Sequence, residues 1–484
     1  MNQSPSIKRN FFWNTILTVA NMLFPLITFP FVSRYLQAES MGKVDFANSV
    51  VNYFIMFAAL GIPTYGIRLC SSVRDNKKEL SKTVQELLFI NIVTTLIAIF
   101  LLFVSIIQIP RLSQDKPLFY IIGINLILNA FGINWLYSAL EEYRYISIRS
   151  FVFKIISLIL IFLTIQNPED YLKYAAISVF SITGSNILNF IHSRKYISYK
   201  YIGNYHIKRH LNSVVTFFAT TVAISIYTNL DIVMLGFLSN NSQVGYYSAA
   251  LKIRMVLATV VTALSTVVLP RLSYYAANGL DKDFHNLIKK SLNFTLVTAI
   301  PFTLFFTVCA KPCVLILSGN SFFDAGIVLQ WLLPTVLFAG LSNVTGTQLL
   351  VPYKKEKVLL ISIICGACAD FLCNIFFISF WGAAGAAAAT TIAEFIVLLV
   401  QIIFSKKILL TLLKDINYKS ILISSAISFT VLILQNLIPY TNNMVYMIRS
   451  SVLYFGTYTL FLYLFKNPLI IEITNSLKTR RIHL

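Results

Sequence analysis

The stretch KRNFFWNTILTVANMLFPLITFPFVSRYL, residues 8–36, decides the class of fold. Lys8 and Arg9 followed by an apolar run have the outline of a secretory leader. The run from Phe12 to Leu36 is too long for a leader's apolar segment of roughly 7–15 residues, and no small-residue cleavage site precedes the next polar segment. About 20 apolar residues cross a bilayer's hydrocarbon as one helix. The stretch therefore reads as a first membrane helix.

The rest of the chain repeats this character. Of 484 residues, 57% are hydrophobic and 12% charged, and the mean hydropathy is +0.73. Soluble domains carry about 25% charged residues. A cytosolic enzyme, a secreted disulfide scaffold and a disordered chain are excluded. The predicted fold is all-α, a polytopic membrane protein of about fourteen spans. They cover roughly 12–36, 44–67, 83–108, 117–140, 147–165, 171–191, 212–238, 245–270, 291–317, 325–351, 358–379, 383–404, 418–438 and 444–465. Pro25, Pro30, Pro63, Pro301 and Pro334 fall inside spans, as transporters tolerate where helices line a cavity.

Lys and Arg set the orientation. Of 39, 29 fall at the termini and in the loops after even-numbered spans, and 6 in the opposite loops. That bias puts both termini in the cytoplasm, and "basic end" below means that side. It accounts for most of the net charge of +20, so no nucleic-acid partner is needed. The basic loops face anionic membrane lipids. Outer loops are short, and no phosphate-cradling GxxxxGK[ST] loop is present. Cys365 and Cys368 have CxxC spacing but lie in a span without a second ligand pair, so packing is the expected role and no metal or cofactor is expected. His192, His206 and His210 are scattered loop histidines with no assigned chemistry, and no nucleophile constellation stands out.

A weak internal repeat is visible. Gly42 and Arg68 bracket span 2, Gly245 and Arg271 bracket span 8, and the two pairs are offset by 203 residues. Asn91 and Asn293 fall in similar places in spans 3 and 9. The implied architecture is two pseudo-symmetric six-helix lobes, residues 1–210 and 211–410, related by an axis along the membrane normal. Residues 411–484 add spans 13 and 14 and a tail.

Ionisable groups inside spans are costly and mark function or pairing. If spans 1 and 2 turn near 39–40, Arg34 and Asp45 are level. If spans 7 and 8 turn near 241–242, so are Asp231 and Lys252. Either pair is a structural ion pair or a cavity pair remade during transport. Arg254 has no obvious partner. Spans 11 and 12 turn near Gly382, which puts Asp370 and Glu394 at one depth, about 18 Å from the turn. Two such carboxylates resist joint ionisation, so the pair is a candidate proton or sodium site, with packing or hydrogen-bonding roles as the alternative. Arg68 and Arg271 sit at basic helix ends, either as interfacial anchors or as a phosphate clamp.

Several stretches resemble one family. They are Leu60-Gly-Ile-Pro-Thr-Tyr-Gly-Ile-Arg68, Asn134-Trp-Leu-Tyr-Ser-Ala-Leu-Glu-Glu-Tyr143, Leu230-Asp-Ile-Val-Met-Leu-Gly236 with Val244-Gly-Tyr-Tyr-Ser-Ala-Ala250, and Trp381-Gly-Ala-Ala-Gly-Ala-Ala-Ala-Ala-Thr390 with Glu394. Their order and spacing resemble the Wzx-type oligosaccharide flippases of the multidrug/oligosaccharidyl-lipid/polysaccharide exporter superfamily. The resemblance implies two six-helix bundles in a V. It implies translocation of undecaprenyl-diphosphate-linked oligosaccharide across the cytoplasmic membrane, for O-antigen or capsule synthesis. The implied mechanism is alternating access with ion coupling, and the implied partners are a polysaccharide polymerase and a chain-length regulator. By that resemblance Arg34, Arg68, Lys252, Arg254 and Arg271 are candidate substrate contacts. Asp45, Asp231, Asp370 and Glu394 are candidate ion-coupling groups. Relatives usually carry glycine where this chain has Gln37. The alternatives are a multidrug exporter, whose cavity would favour carboxylates, and a polymerase or ligase, which would need a larger outer loop.

The orientation has a direct check. A fluorescent reporter fused after Leu484 should fluoresce, and a phosphatase fused at Thr441, between spans 13 and 14, should be active only outside the cytoplasm; the reverse pattern inverts the topology.

Overall fold

The computed structural model describes residues 7–413, 417–439, 441–472 and 474. Lys414 and the basic tail beyond 474, which the orientation count includes, lie outside them. Every regular element among the described residues is helical. Hydrocarbon satisfies no backbone N–H or C=O, and a helix satisfies its own. Among the described residues, ten helical runs are long and apolar enough to cross a bilayer. The two longest, Phe12–Ser72 and Glu356–Lys406, have 61 and 51 residues, far beyond the roughly 20 that one crossing needs. Each bends sharply inside.

The first corner is at Gln37 (φ 61°, ψ 178°), the second at Gly382 (φ 54°, ψ −127°). At the second, the chain folds back so tightly that a Cβ on Gly385 would sit 2.1 Å from the carbonyl oxygen of Phe377. The sequence reading places this corner correctly. It places the other at 39–40, and the structure moves it to Gln37. Arg34 and Asp45 are then three and eight residues from the corner rather than level.

Two of the prolines read as lying inside spans begin new helical segments within those runs. Leu60 (φ 45°) and Gly61 (φ 74°) interrupt the first long run after Ala59, and Pro63 sits in the first turn of Ile62–Ser72. Pro334 opens Pro334–Ser342 directly after Ala325–Leu332. A missing N–H costs nothing in a first turn. Asn76 and Asn442 cap the helices that follow them, each side chain accepting from two backbone N–H groups.

The chain divides into two compact units that part between Gly245 and Tyr246. In the first, Ile7–Ala59 packs against Lys77–Gln108, Lys116–Ala130, Tyr143–Thr164 and Lys208–Leu238. That last contact carries the first unit past residue 210. Gly42 and Gly245, read above as repeat equivalents, make the tightest approach in this unit. A Cβ on Gly42 would lie 1.7 Å from the Asn241 carbonyl oxygen, and one on Gly245 2.1 Å from that of Ala38. Arg111 secures the same place. Its Nε donates to the Gly236 carbonyl and its Nη2 to Asn241 Oδ1, both at 2.6 Å. Trp135, from the quoted stretch 134–143, is buried and lies against Gly66.

In the second unit, Glu356–Leu413 packs against Ala325–Leu332 and Pro334–Ser342. Asp281–Val308 lies against Pro334–Ser342 and also carries Tyr418–Asn436, which pairs with Asn443–Leu464. Tyr454 and Phe305 are buried where these helices meet.

The backbone of Gln37 occupies a region nearly reserved for glycine, where another residue stores about 1–3 kcal/mol, and its side chain is exposed. Gln37→Gly is expected to stabilise the protein by about 1 kcal/mol after its own entropy cost. Thermal unfolding in detergent reads this; a lower midpoint would show that the Gln37 side chain holds the corner.

Candidate functional site

A seam of polar side chains runs through the second unit. Arg254 Nη2 donates to Glu394 Oε1 at 2.8 Å, and Arg254 Nε donates to Thr335 Oγ1 at 2.7 Å. The ion pair is largely buried, with side chains 15% and 9% exposed. Thr335 follows Pro334, and its hydroxyl donates to the Leu332 carbonyl. Toward the Gly382 corner, Tyr247 and Thr390 share a hydroxyl hydrogen bond of 2.9 Å. On the other side, Thr345 donates to Gln401 Oε1 at 2.6 Å, and Gln401 Nε2 donates to Ser362 at 3.1 Å. Thr390, Glu394 and Gln401 are spaced by four and seven residues, so they lie on one face of their helix.

The first unit holds a second cluster at its basic end. The Glu86 carboxylate is fully buried and accepts from Arg209 Nη2, His210 Nε2 and the His206 backbone N–H, each at 2.7 Å. Tyr65 completes the chain with a 2.9 Å hydrogen bond to His210 Nδ1. His210, read as a loop histidine without a role, is 1% exposed and anchors the segment leading into Lys208–Leu238.

Among the residues singled out by sequence, the structure joins Arg254 to Glu394. Arg254, for which hairpin geometry offered no partner, meets Glu394 across 140 residues of chain. A guanidinium therefore compensates Glu394. Both carboxylates are buried, Asp370 at 2% and Glu394 at 7% exposure, and each lies twelve residues from Gly382. Asp231 is buried, while Asp45 and Lys252 are half-buried; Asp45 interacts electrostatically with Tyr174. Arg34 is exposed beside the Gln37 corner, and Arg68 is exposed in Ile62–Ser72. Arg271 is exposed with its guanidinium 6.0 Å from the Tyr275 ring. The sequence reading missed Thr335, Gln401, Glu86 and His210. The 390/394/401 spacing within an apolar span was the available signal for the seam. Among the described residues no cluster of His, Cys, Asp or Glu is arranged to hold a metal.

Three comparisons bear on this arrangement. The family model described as "Polysaccharide biosynthesis protein" matches residues 7–276. A relative from Escherichia coli (strain K12), named "Putative O-antigen transporter", is 26% identical over 359 residues, covering 72% of this chain and 85% of the relative. A relative of the same name from Shigella dysenteriae is 26% identical over 411 residues, covering 81% and 98%. In fold, the chain is similar to the lipid II flippase MurJ in an inward closed conformation, with a TM-score of 0.76 at 17% identity over 95% of this chain and 100% of that one. It is also similar to an inward-facing multidrug resistance MATE family transporter, with a TM-score of 0.58 at 11% identity over 83% and 99%. The relatives are named as putative transporters, and the fold neighbours as a flippase and a multidrug transporter.

An all-helical, multi-pass chain with a charged pair inside its spans is a polytopic membrane protein. More narrowly, this chain is a member of the polysaccharide biosynthesis protein family, in keeping with its resemblance to the Wzx-type flippases.

The seam predicts a double-mutant result. Arg254→Met leaves a buried carboxylate uncompensated, which costs about 3–5 kcal/mol. Adding Glu394→Gln should recover most of that loss in thermal unfolding. Strictly additive losses would show that the two groups do not depend on each other.

Proposed function

We propose that this protein is a flippase for lipid-linked oligosaccharide. It moves undecaprenyl-diphosphate-linked repeat units from the inner to the outer leaflet of the cytoplasmic membrane, for O-antigen or capsular polysaccharide. The observation that carries this reading is the alignment of two relatives named as O-antigen transporters along 72% and 81% of the chain. The likeness in fold to a lipid II flippase is consistent with it. A glycan headgroup cannot cross about 30 Å of hydrocarbon unaided, while a polyprenyl tail prefers that medium. The protein has to supply polar surface at membrane depth, and the Arg254–Glu394 seam is polar surface of that kind.

The seam also suggests how substrate and ion are linked. A guanidinium binds carboxylate and phosphate with the same planar fork. Protonation of Glu394 releases Arg254 to take the diphosphate, and loss of the proton takes it back. Arg34, Lys252, Arg68 and Arg271 extend the basic path. Asp370, with Asp45 and Asp231, offers further sites for a proton or sodium ion. Delivery of product to a polysaccharide polymerase and a chain-length regulator completes the proposal.

The test uses purified protein in proteoliposomes loaded with polyprenyl-diphosphate oligosaccharide. Protein-dependent exposure of inner-leaflet headgroups to an external glycosidase is the expected result, accelerated by an ion gradient. Arg254→Gln should slow exposure at least tenfold when compared at equal amounts of folded, reconstituted protein, and Glu394→Gln should flatten its pH dependence. No exposure with several glycans would overturn the flippase reading, and an unchanged pH profile in Glu394→Gln would overturn the exchange.

A further inference from the structure

The first unit contains a cationic cavity that the transport reading does not use. Tyr143–Thr164 and the end of the 168–195 run enclose about 480 Å³ near the basic end. Arg149 forms its inner wall. Arg149 falls within the predicted span 147–165 and is buried, at 8% exposure, in the second turn of its helix. Its Nη1 donates to the Ser185 carbonyl at 3.2 Å and its Nη2 to Asn134 Oδ1 at 3.1 Å. Its buried Nε–H has no hydrogen-bond partner, and among the described residues no carboxylate forms an ion pair with it. A buried guanidinium without a counter-charge is expensive.

The cavity gathers more positive charge. Arg144 and Lys195 stand exposed at its rim, against one acid, Glu142, which interacts electrostatically with Tyr196. Tyr145 and His192 stack with ring centroids 4.0 Å apart, and the Tyr145 hydroxyl donates to the Leu188 carbonyl at 3.2 Å. The pocket floor is thus fixed in place. The remaining wall is apolar and faces outward: Ile148, Val152 and Leu188 are 43%, 45% and 44% exposed. The same exposed apolar face continues along the helix through Ile155 and Ile159.

We infer that this cavity binds the phosphate headgroup of an anionic membrane lipid. Arg149, Arg144 and Lys195 hold the phosphate, and the acyl chains run along the exposed face of Tyr143–Thr164. A free phosphate ion would satisfy the cations but leave the apolar wall without a role. The combination of a charged floor and a greasy wall selects an amphiphile, and cations at this end of the molecule match the anionic leaflet. The site is independent of the transported substrate.

Calorimetric titration of the full chain in neutral detergent tests this, with dihexanoyl phosphatidylglycerol, dihexanoyl phosphatidylcholine and glycerol 1-phosphate as probes. Phosphatidylglycerol should bind saturably and at least tenfold more tightly than either other probe. Arg144→Gln/Lys195→Gln, both at the exposed rim, should weaken it on the order of tenfold. Lys354→Gln/Lys355→Gln, which removes two charges elsewhere at the basic end, should leave it unchanged. Equal loss in both double variants would reduce the effect to general surface charge and overturn the site. Equal binding of glycerol 1-phosphate would overturn the lipid assignment.

Discussion

Hydrocarbon offers no hydrogen bonds, and this one constraint organises the molecule. Every backbone group inside the membrane has to be satisfied by its own segment, which leaves helices. Polar side chains there gain by finding one another, as Arg254, Thr335 and Glu394 do in one unit, and Glu86, Arg209 and His210 make a like cluster at the basic end of the other. Such contacts are not worth much more than their counterparts in water, because the alternatives inside a membrane are also polar contacts. Their value lies in specifying which helices meet, since lipid-facing apolar surfaces discriminate poorly between neighbours.

Backbone approach does the rest of the specifying. The Gly42–Asn241 and Gly245–Ala38 contacts admit no side chain at either glycine, and the Gly385–Phe377 contact does the same at the Gly382 corner. Small residues let helices come within van der Waals range of each other's main chain, the strongest packing available without a hydrophobic driving force. Arg111 adds polar contacts of its own beside the first of these, reaching a carbonyl that the helix end leaves available.

Much of this was legible in the sequence. Length and apolarity marked the spans, since each is a local property of about 20 residues. The Gly382 corner was legible because glycine at a positive φ, flanked by small residues, is a local signal as well. The Gln37 corner was misplaced by two residues because glutamine carries no such signal; surrounding packing holds it in a conformation its type disfavours. Arg254 could be recognised as costly, but its partner lies 140 residues away. Hairpin geometry compares only sequence neighbours, and this contact joins helices that are not consecutive. His210 was missed for the same reason, since Glu86 is 124 residues away.

The seam of the second unit also constrains how its helices can move. Tyr247–Thr390 and Arg254–Glu394 join the same two helices at two levels. Sliding one helix along the other by a turn would break both bonds at once, with nothing gained until new partners arrived. Tilting about one bond would strain only the other. The permitted motion of this helix pair is therefore a pivot rather than a shear, and the bond nearer the Gly382 corner is the natural fulcrum, because the tightest backbone contact of that unit lies beside it.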